Sequence, residues 1–64
     1  MMILDKAIEN IQSNLKIVVK NKNGKLFEGT IGELSARYAT LGQREVKEQP
    51  FYDIKIDAYT VEVI

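Results

Sequence analysis

The chain has 64 residues, nine basic and nine acidic side chains and therefore no net charge, and it contains neither histidine nor cysteine. Zero net charge removes the broad attraction to polyanions on which dedicated nucleic-acid and anionic-membrane binders depend. The missing imidazoles and thiols exclude Ser-His triads, cysteine nucleophiles and the usual zinc sites. A hydrophobic fraction of 45% is typical of globular proteins, so we predict one small domain over residues 1–64.

The first predicted element is an amphipathic helix over residues 2–13. Apolar side chains recur there at helical spacing, with charged and amide side chains on the other side. The apolar stripe consists of Ile3, Leu4, Ala7, Ile8, Ile11 and Leu15. No run approaches the ~20 apolar residues of a membrane span, and no basic segment precedes a hydrophobic leader. We therefore expect no membrane contact and a cytoplasmic location.

A β-hairpin is predicted next. Residues 15–22 alternate apolar and basic side chains around the β-branched run KIVV, which is typical of a half-buried strand. Asn23-Gly24 predicts a type I′ turn, because both central residues of that turn need a positive φ. Residues 26–28 form the returning strand, and the alternation leaves open whether Leu26 or Phe27 points inward.

A second helix is predicted to begin at a capping box, in which the side chains of Thr30 and Glu33 each bond the other residue's backbone N–H. Ile31, Leu34, Tyr38 and Leu41 share one face at helical spacing. Gly42 is expected to adopt the left-handed conformation that ends many helices.

The last third of the chain is predicted to consist of strands. Residues 44–47 suggest a short strand, and residues 52–57 alternate strictly after Pro50. A turn over residues 57–59 and a strand over residues 60–64 complete a hairpin.

These elements predict an α+β fold with the order α-β-β-α-β-β. We expect two layers, with a mostly antiparallel sheet of four to five strands covered on one face by two short helices. The arrangement is similar to a β-grasp.

The carboxylates offer little for catalysis. The candidate acid–base pairs are Asp53 with Asp57 and Glu45 with Glu48, and regular strand spacing puts the first pair about 13 Å apart. No calcium loop is present, and Gly29 is followed by Thr30-Ile31 where a phosphate loop needs lysine and a hydroxyl. We predict a non-enzymatic protein with no catalytic residue, cofactor or metal.

Two binding surfaces remain as candidates. Protein contacts are predicted at Arg44, Phe51, Tyr52 and Tyr59, because tyrosine and arginine are enriched at interface centres. The alternative is nucleic-acid binding through Lys16, Lys20, Lys22 and Lys25, which no acid accompanies between Glu9 and Glu28. Solvent-facing lysines are also how sheets avoid pairing with other chains. A homodimer through the first helix or an edge strand is a further expectation.

The segments LFEGTIGEL (26–34), REV (44–46) and IKIDAYTVEVI (54–64) together resemble small uncharacterised proteins of phages and prophages of Gram-positive bacteria. The resemblance covers about two thirds of the chain. It implies a cytoplasmic accessory protein of a phage or mobile element, and it supplies no catalytic residue. We therefore expect a protein-binding module whose partner is a protein of unknown identity.

Overall fold

A four-stranded mixed sheet and three short helices make up residues 2–64, the part of the chain that this computed structural model describes. The predicted α+β class is confirmed, but the second predicted helix is divided into two. In chain order the elements are α1 (Leu4–Ala7), β1 (Lys16–Asn21), β2 (Gly24–Thr30), α2 (Ile31–Arg37), α3 (Ala39–Gly42), β3 (Phe51–Asp53) and β4 (Ala58–Glu62).

The strands lie in the order β2-β1-β4-β3. The outer pairs, β1 with β2 and β3 with β4, are antiparallel, as hairpins must be. The central pair, β1 with β4, is parallel and pairs Ile17 with Tyr59. The mostly antiparallel sheet of the sequence prediction is therefore mixed at its centre, because the chain crosses over the sheet through the helices before it forms β4.

The core lies between one face of the sheet and the helices. Ile17 and Val19 on β1 point into it, while Lys16 and Lys20 point to the opposite face, as the alternation predicted. Phe27 is buried and Leu26 is not, which settles the choice that the sequence left open. The buried cluster consists of Leu4, Ile8, Ile17, Val19, Phe27, Ile31, Leu34, Leu41, Val61 and Val63.

The first helix is shorter than predicted. It ends at Ala7, and Ile8 at its C-cap leaves helical geometry with φ −107° and ψ 5°. Leu4 and Ile8 are buried as the stripe required, but Ile3 forms a strand-like bridge with Glu45 instead of extending the helix. Asn10, Ser13 and Asn14, residue types of modest helix propensity, follow the end of the helix.

The turn between β1 and β2 is not of type I′. Gly24 has φ 131°, but Asn23 keeps a negative φ, and the Asn23 N–H donates to the side-chain oxygen of Asn21 at 2.9 Å. The strand register then shifts between Val19 and Lys20, where a bulge in β2 accommodates Leu26.

The capping box of α2 is confirmed. Glu33 N–H donates to Thr30 Oγ1 at 3.1 Å, and Thr30 N–H donates to Glu33 Oε1 at 3.3 Å. The helical segment breaks at Tyr38, whose φ of −129° and ψ of 50° separate α2 from α3. Gly42 does not have the predicted positive φ; it lies in α3, where a Cβ would collide with the Asp5 carboxylate. Its small size, rather than its backbone freedom, is what this position uses.

The C-terminal prediction was wrong about where the turn lies. Residues 54–57 form the turn, and β4 already begins at the buried Ala58. Asp57 adopts a φ of 52°, as the turn requires. The predicted strand over residues 44–47 is reduced to single bridges, of Glu45 with Ile3 and of Val46 with Val63.

Candidate functional site

The face of the sheet opposite the helices carries the lysines of β1. Lys16 and Lys20 point to this open face, and Lys25 lies opposite Lys20 on β2. Glu28 lies between two of these lysines, with Nζ of Lys16 at 3.1 Å and Nζ of Lys25 at 2.5 Å from its carboxylate oxygens. Hydrogen bonds from Lys25 and then Lys16 lower the pKa of Glu28.

These ion pairs divide the predicted phosphate-binding set. Lys16 and Lys25 share the charge of Glu28, whereas Lys20 and Lys22 have no carboxylate within 4 Å among residues 2–64. The four lysines therefore do not form one uncompensated basic patch.

The β3–β4 hairpin exposes a group of large apolar side chains. Ile54 has 84% of its surface exposed, Phe51 50% and Ile56 47%. We call the set Phe51, Tyr52, Ile54 and Ile56 the hairpin patch. It occupies four of six consecutive positions, so one short hairpin exposes four large apolar side chains.

Polar contacts fix the shape of the hairpin that carries this patch. The Asp53 carboxylate accepts from Lys55 N–H at 3.0 Å, and Ile56 N–H donates to Asp53 O at 3.2 Å. The Tyr52 hydroxyl donates a hydrogen bond to the Asp57 carboxylate across the turn. The two isoleucines of the turn are therefore presented by a hydrogen-bonded loop.

The structure brings together only some of the aromatic residues that were predicted to contact a protein partner. Tyr52 and Tyr59 pack edge to face, with ring centroids 5.5 Å apart. Tyr59 also packs against the core, so most of its surface is already used. Phe51 is adjacent to Tyr52 in β3 and therefore points to the open face.

Arg44 lies at the other end of β4. Its Nη1 donates to the main-chain oxygen of Ile64 at 3.3 Å. Ile64 follows Tyr59 by five residues of extended chain, which corresponds to roughly 16 Å. Arg44 is therefore separated from the aromatic residues with which the sequence grouped it.

Two of the four carboxylates considered for catalysis make structural hydrogen bonds. Asp53 and Asp57 both hold the hairpin, and they lie around a turn rather than on one face of a strand. Among residues 2–64 no group of three or more acidic side chains is placed to hold a metal ion. In the same part of the chain no helix has the length and apolarity to cross a bilayer.

A groove of about 330 Å³ lies between the free edge of β2 and α2. We call it the β2–α2 groove. Sequence analysis did not place Leu26, Arg37 or Tyr38 among the candidate contact residues. The signal that could have found them is an arginine followed by a tyrosine at the end of α2. The groove is lined by Lys25, Leu26, Phe27, Glu28, Glu33, Arg37 and Tyr38.

The two predicted routes to a homodimer have different support. The apolar residues of α1 are used within the core, which leaves little of that helix for a second copy. Of the two edge strands, β3 has three residues and follows Pro50, which lacks an N–H, whereas β2 has seven residues. The longer free edge of the sheet is therefore β2.

Comparisons of the chain with protein-family models, with curated proteins and with solved structures find no match.

Proposed function

We propose that this chain is a non-enzymatic protein-binding module whose contact surface is the hairpin patch. The observation that carries the proposal is the exposure of Ile54, at 84%, beside the half-exposed Phe51 and Ile56. Burying an exposed isoleucine side chain in an interface is worth about 1.5–3 kcal/mol. Turns are usually polar, so two isoleucines in one turn point to a partner that covers them.

The hydrogen bonds of the hairpin support the same proposal. A contact surface that is already ordered loses less conformational entropy when it binds than a flexible loop does. The contacts of Asp53 and Asp57 order the turn without covering the isoleucines. Of the residues predicted for protein contact, the hairpin patch contains Phe51 and Tyr52, whereas Tyr59 packs against Tyr52 and Arg44 lies outside the patch.

Nucleic-acid binding through Lys16, Lys20, Lys22 and Lys25 is less well supported. Glu28 neutralises part of the set and would face the phosphates. On the open face of the sheet the aromatic side chain is Phe51, two strands away from β1, because Phe27 and Tyr59 face the core. Stacking platforms for bases usually place aromatic and basic side chains together.

The wider setting rests on the sequence resemblance. We infer a cytoplasmic accessory protein of a phage or mobile element, from the segments LFEGTIGEL and REV. A β-grasp-like arrangement is part of the same inference. It is supported by the strand order β2-β1-β4-β3, with two hairpins around a parallel central pair and helices in the crossover.

The test is capture of crosslinked proteins from a lysate of the source cell, with the wild-type chain and with Ile54→Ser as baits. We expect Ile54→Ser to lose the proteins that the wild type retains, and nuclease treatment to leave them bound. Ile64→Ser is the matched control, because Ile64 is also an exposed isoleucine, at 64%, but lies at the far end of β4.

Thermal melting of each bait checks that the variants stay folded. Equal capture by wild type and Ile54→Ser would contradict the proposal. Capture that disappears with nuclease and falls steeply as salt rises would favour the lysine surface instead.

A further inference from the structure

We propose that the free edge of β2 binds an extended peptide that carries an acidic side chain, as an added strand in the β2–α2 groove. The proposal goes beyond the hairpin patch, because it concerns a different surface and is carried by different observations. Strand addition of this kind obtains affinity from main-chain hydrogen bonds and specificity from side chains at alternate positions.

The hydrogen bonds of the sheet show which β2 residue offers free main-chain groups. Val63 N–H donates to Lys20 O at 2.8 Å, so the main chain of Lys20 faces β4. Because main-chain direction alternates along a strand, Val18 also faces β4. Glu28 lies opposite Val18 and therefore has no hydrogen-bonded pairing with β1. Its N–H and C=O point to the outer edge of the sheet.

The lining of the groove places it along that edge. Four consecutive residues of β2, 25–28, contribute to it. Phe27 and Glu28 follow the bulge and point to opposite faces of the sheet, so a space lined by both reaches the outer edge of the strand. Arg37 and Tyr38 form the opposite wall. The groove thus offers a strand one hydrogen-bonding side and one side-chain wall.

The wall of the groove suggests the chemistry of the peptide. The rings of Phe27 and Tyr38 pack with centroids 5.0 Å apart, and Tyr38 remains exposed. Arg37 has no carboxylate within 4 Å among residues 2–64, while Glu33 is occupied by the capping box. A free guanidinium favours a carboxylate in bidentate geometry. We therefore infer a peptide with an apolar residue and an Asp or Glu at alternate positions.

A second copy of the chain is a poorer occupant of the same edge. A two-fold axis through the free main-chain groups of Glu28 would place two Glu28 carboxylates opposite one another, and directly opposed like charges destabilise a strand pair. The bulge and Lys25 also protect the turn end of β2. Beyond that end the outward N–H and C=O of Glu28 are free, while the Thr30 N–H is held by Glu33, so the open stretch of edge suits a short peptide.

The probe is a displayed library of random peptides as long as β2, selected on the wild-type chain. We expect enrichment of sequences that alternate apolar with acidic or polar residues. The decisive pair of variants is Glu28→Pro and Glu28→Ala. Both remove the carboxylate, but only proline removes the outward N–H, and proline is tolerated where an edge N–H faces solvent. We expect the selected peptide to bind Glu28→Ala and to lose binding to Glu28→Pro.

Arg37→Gln should weaken the selected peptide roughly 5-fold, as loss of a charge-assisted pair at a partly solvated site does. Arg44→Gln, at the other arginine, and Ile54→Ser, in the hairpin patch, should bind the peptide like the wild type. If Glu28→Pro does not fold, two versions of the selected peptide take its place, each N-methylated at one of the two sets of alternate residues. Methylation of one set should abolish binding, and methylation of the other set should have no effect.

Three results would overturn the proposal. They are failure of any peptide to be enriched, equal binding by the alanine and proline variants, and concentration-dependent protection of the Glu28 amide by self-association without peptide. Ile54→Ser is expected to bind the peptide normally, so the two proposals are tested independently. Failure of the peptide proposal does not contradict the proposal for the hairpin patch, and failure of the hairpin-patch proposal does not contradict the peptide proposal.

Discussion

Thr60 lies in β4 with 6% of its surface exposed, and its hydroxyl has no hydrogen-bond partner among residues 2–64. It pairs with Val18 on one side and Phe51 on the other, so its side chain points to the open face. A buried hydroxyl without a partner loses its hydration without compensation.

Thr60→Val should therefore raise the free energy of unfolding by about 1 kcal/mol, because valine has the same shape and needs no partner. Thr60→Ser keeps the hydroxyl, loses the methyl group and should lower it. Urea unfolding followed by circular dichroism measures both. Loss of stability in the valine variant would mean that the hydroxyl has a partner, such as a bound water.

Glu28 should titrate below the usual range of glutamate, because hydrogen bonds from Lys25 and then Lys16 lower its pKa. A lowered pKa in the folded state means that the carboxylate stabilises the fold above its ordinary pKa, and that this contribution is lost as pH falls through the lowered value. NMR titration of the Glu28 carboxyl carbon should show an upward shift in Lys25→Gln and in Lys16→Gln, larger in the former.

Lys22→Gln is the control for that titration. Lys22 has no ion pair with a carboxylate among residues 2–64, so its removal should leave the Glu28 pKa where it was. An equal pKa in all four proteins would show that neither lysine holds the carboxylate in solution.

The elements that sequence analysis predicted well are those fixed by local signals. The capping box of α2 needs only residues 30–33, and its hydrogen bonds are present. The inward and outward residues of β1 followed from strict alternation. Both signals lie within a few consecutive residues, and the tertiary contacts of these segments agree with them.

The elements predicted poorly depend on specific contacts that a hydrophobic pattern does not reveal, some of them local and one of them distant. Alternation through residues 52–57 suggested a strand, but the Asp53 and Asp57 side chains stabilise a turn there. Leu4 and Ile8 of the predicted apolar stripe are buried, but Ile3 forms a β-bridge with Glu45, which is distant in sequence. The Asn21 side chain likewise replaced the expected turn with another.

Thr30→Ala should destabilise the domain by about 1 kcal/mol, because α2 has seven residues and depends on its cap as well as on packing. Thr30→Ser keeps the accepting oxygen and should be nearly neutral. Thermal unfolding of the two variants beside the wild type measures the difference. Equal losses in both would indicate that the methyl group, rather than the cap, is what matters.

The candidate surfaces differ in how much of each could be predicted from the sequence. Phe51 and Tyr52 were identified from composition alone, and Ile54 and Ile56 were missed because their alternation suggested burial. The β2–α2 groove could not be found from sequence, since it depends on which strand lies at the edge of the sheet. Strand order is set by long-range pairing and has no local signature.

One buried cluster draws residues from every element except β3, and Leu34 is among its fully buried members. A chain of this length is expected to be stable by about 3–10 kcal/mol. Leu34→Ala should cost about 3 kcal/mol and so remove a large part of that stability. Ile64→Ala, at an exposed position, should cost little.

Urea unfolding followed both by circular dichroism and by tyrosine fluorescence tests this prediction. With a single core, the two transitions should coincide in the wild type and in Leu34→Ala. Separate transitions would mean that the hairpins unfold independently.

The parallel contact between β1 and β4 joins residues more than forty positions apart, such as Ile17 and Tyr59. On the ribosome, the first hairpin therefore emerges with one edge of β1 unpaired, and that edge stays unpaired until β4 has been synthesised. Nascent chains must pass through this stage at every round of translation, and folding that waits for distant pairing is slow. A chaperone that shields β1 during synthesis would act on the interval that this topology creates.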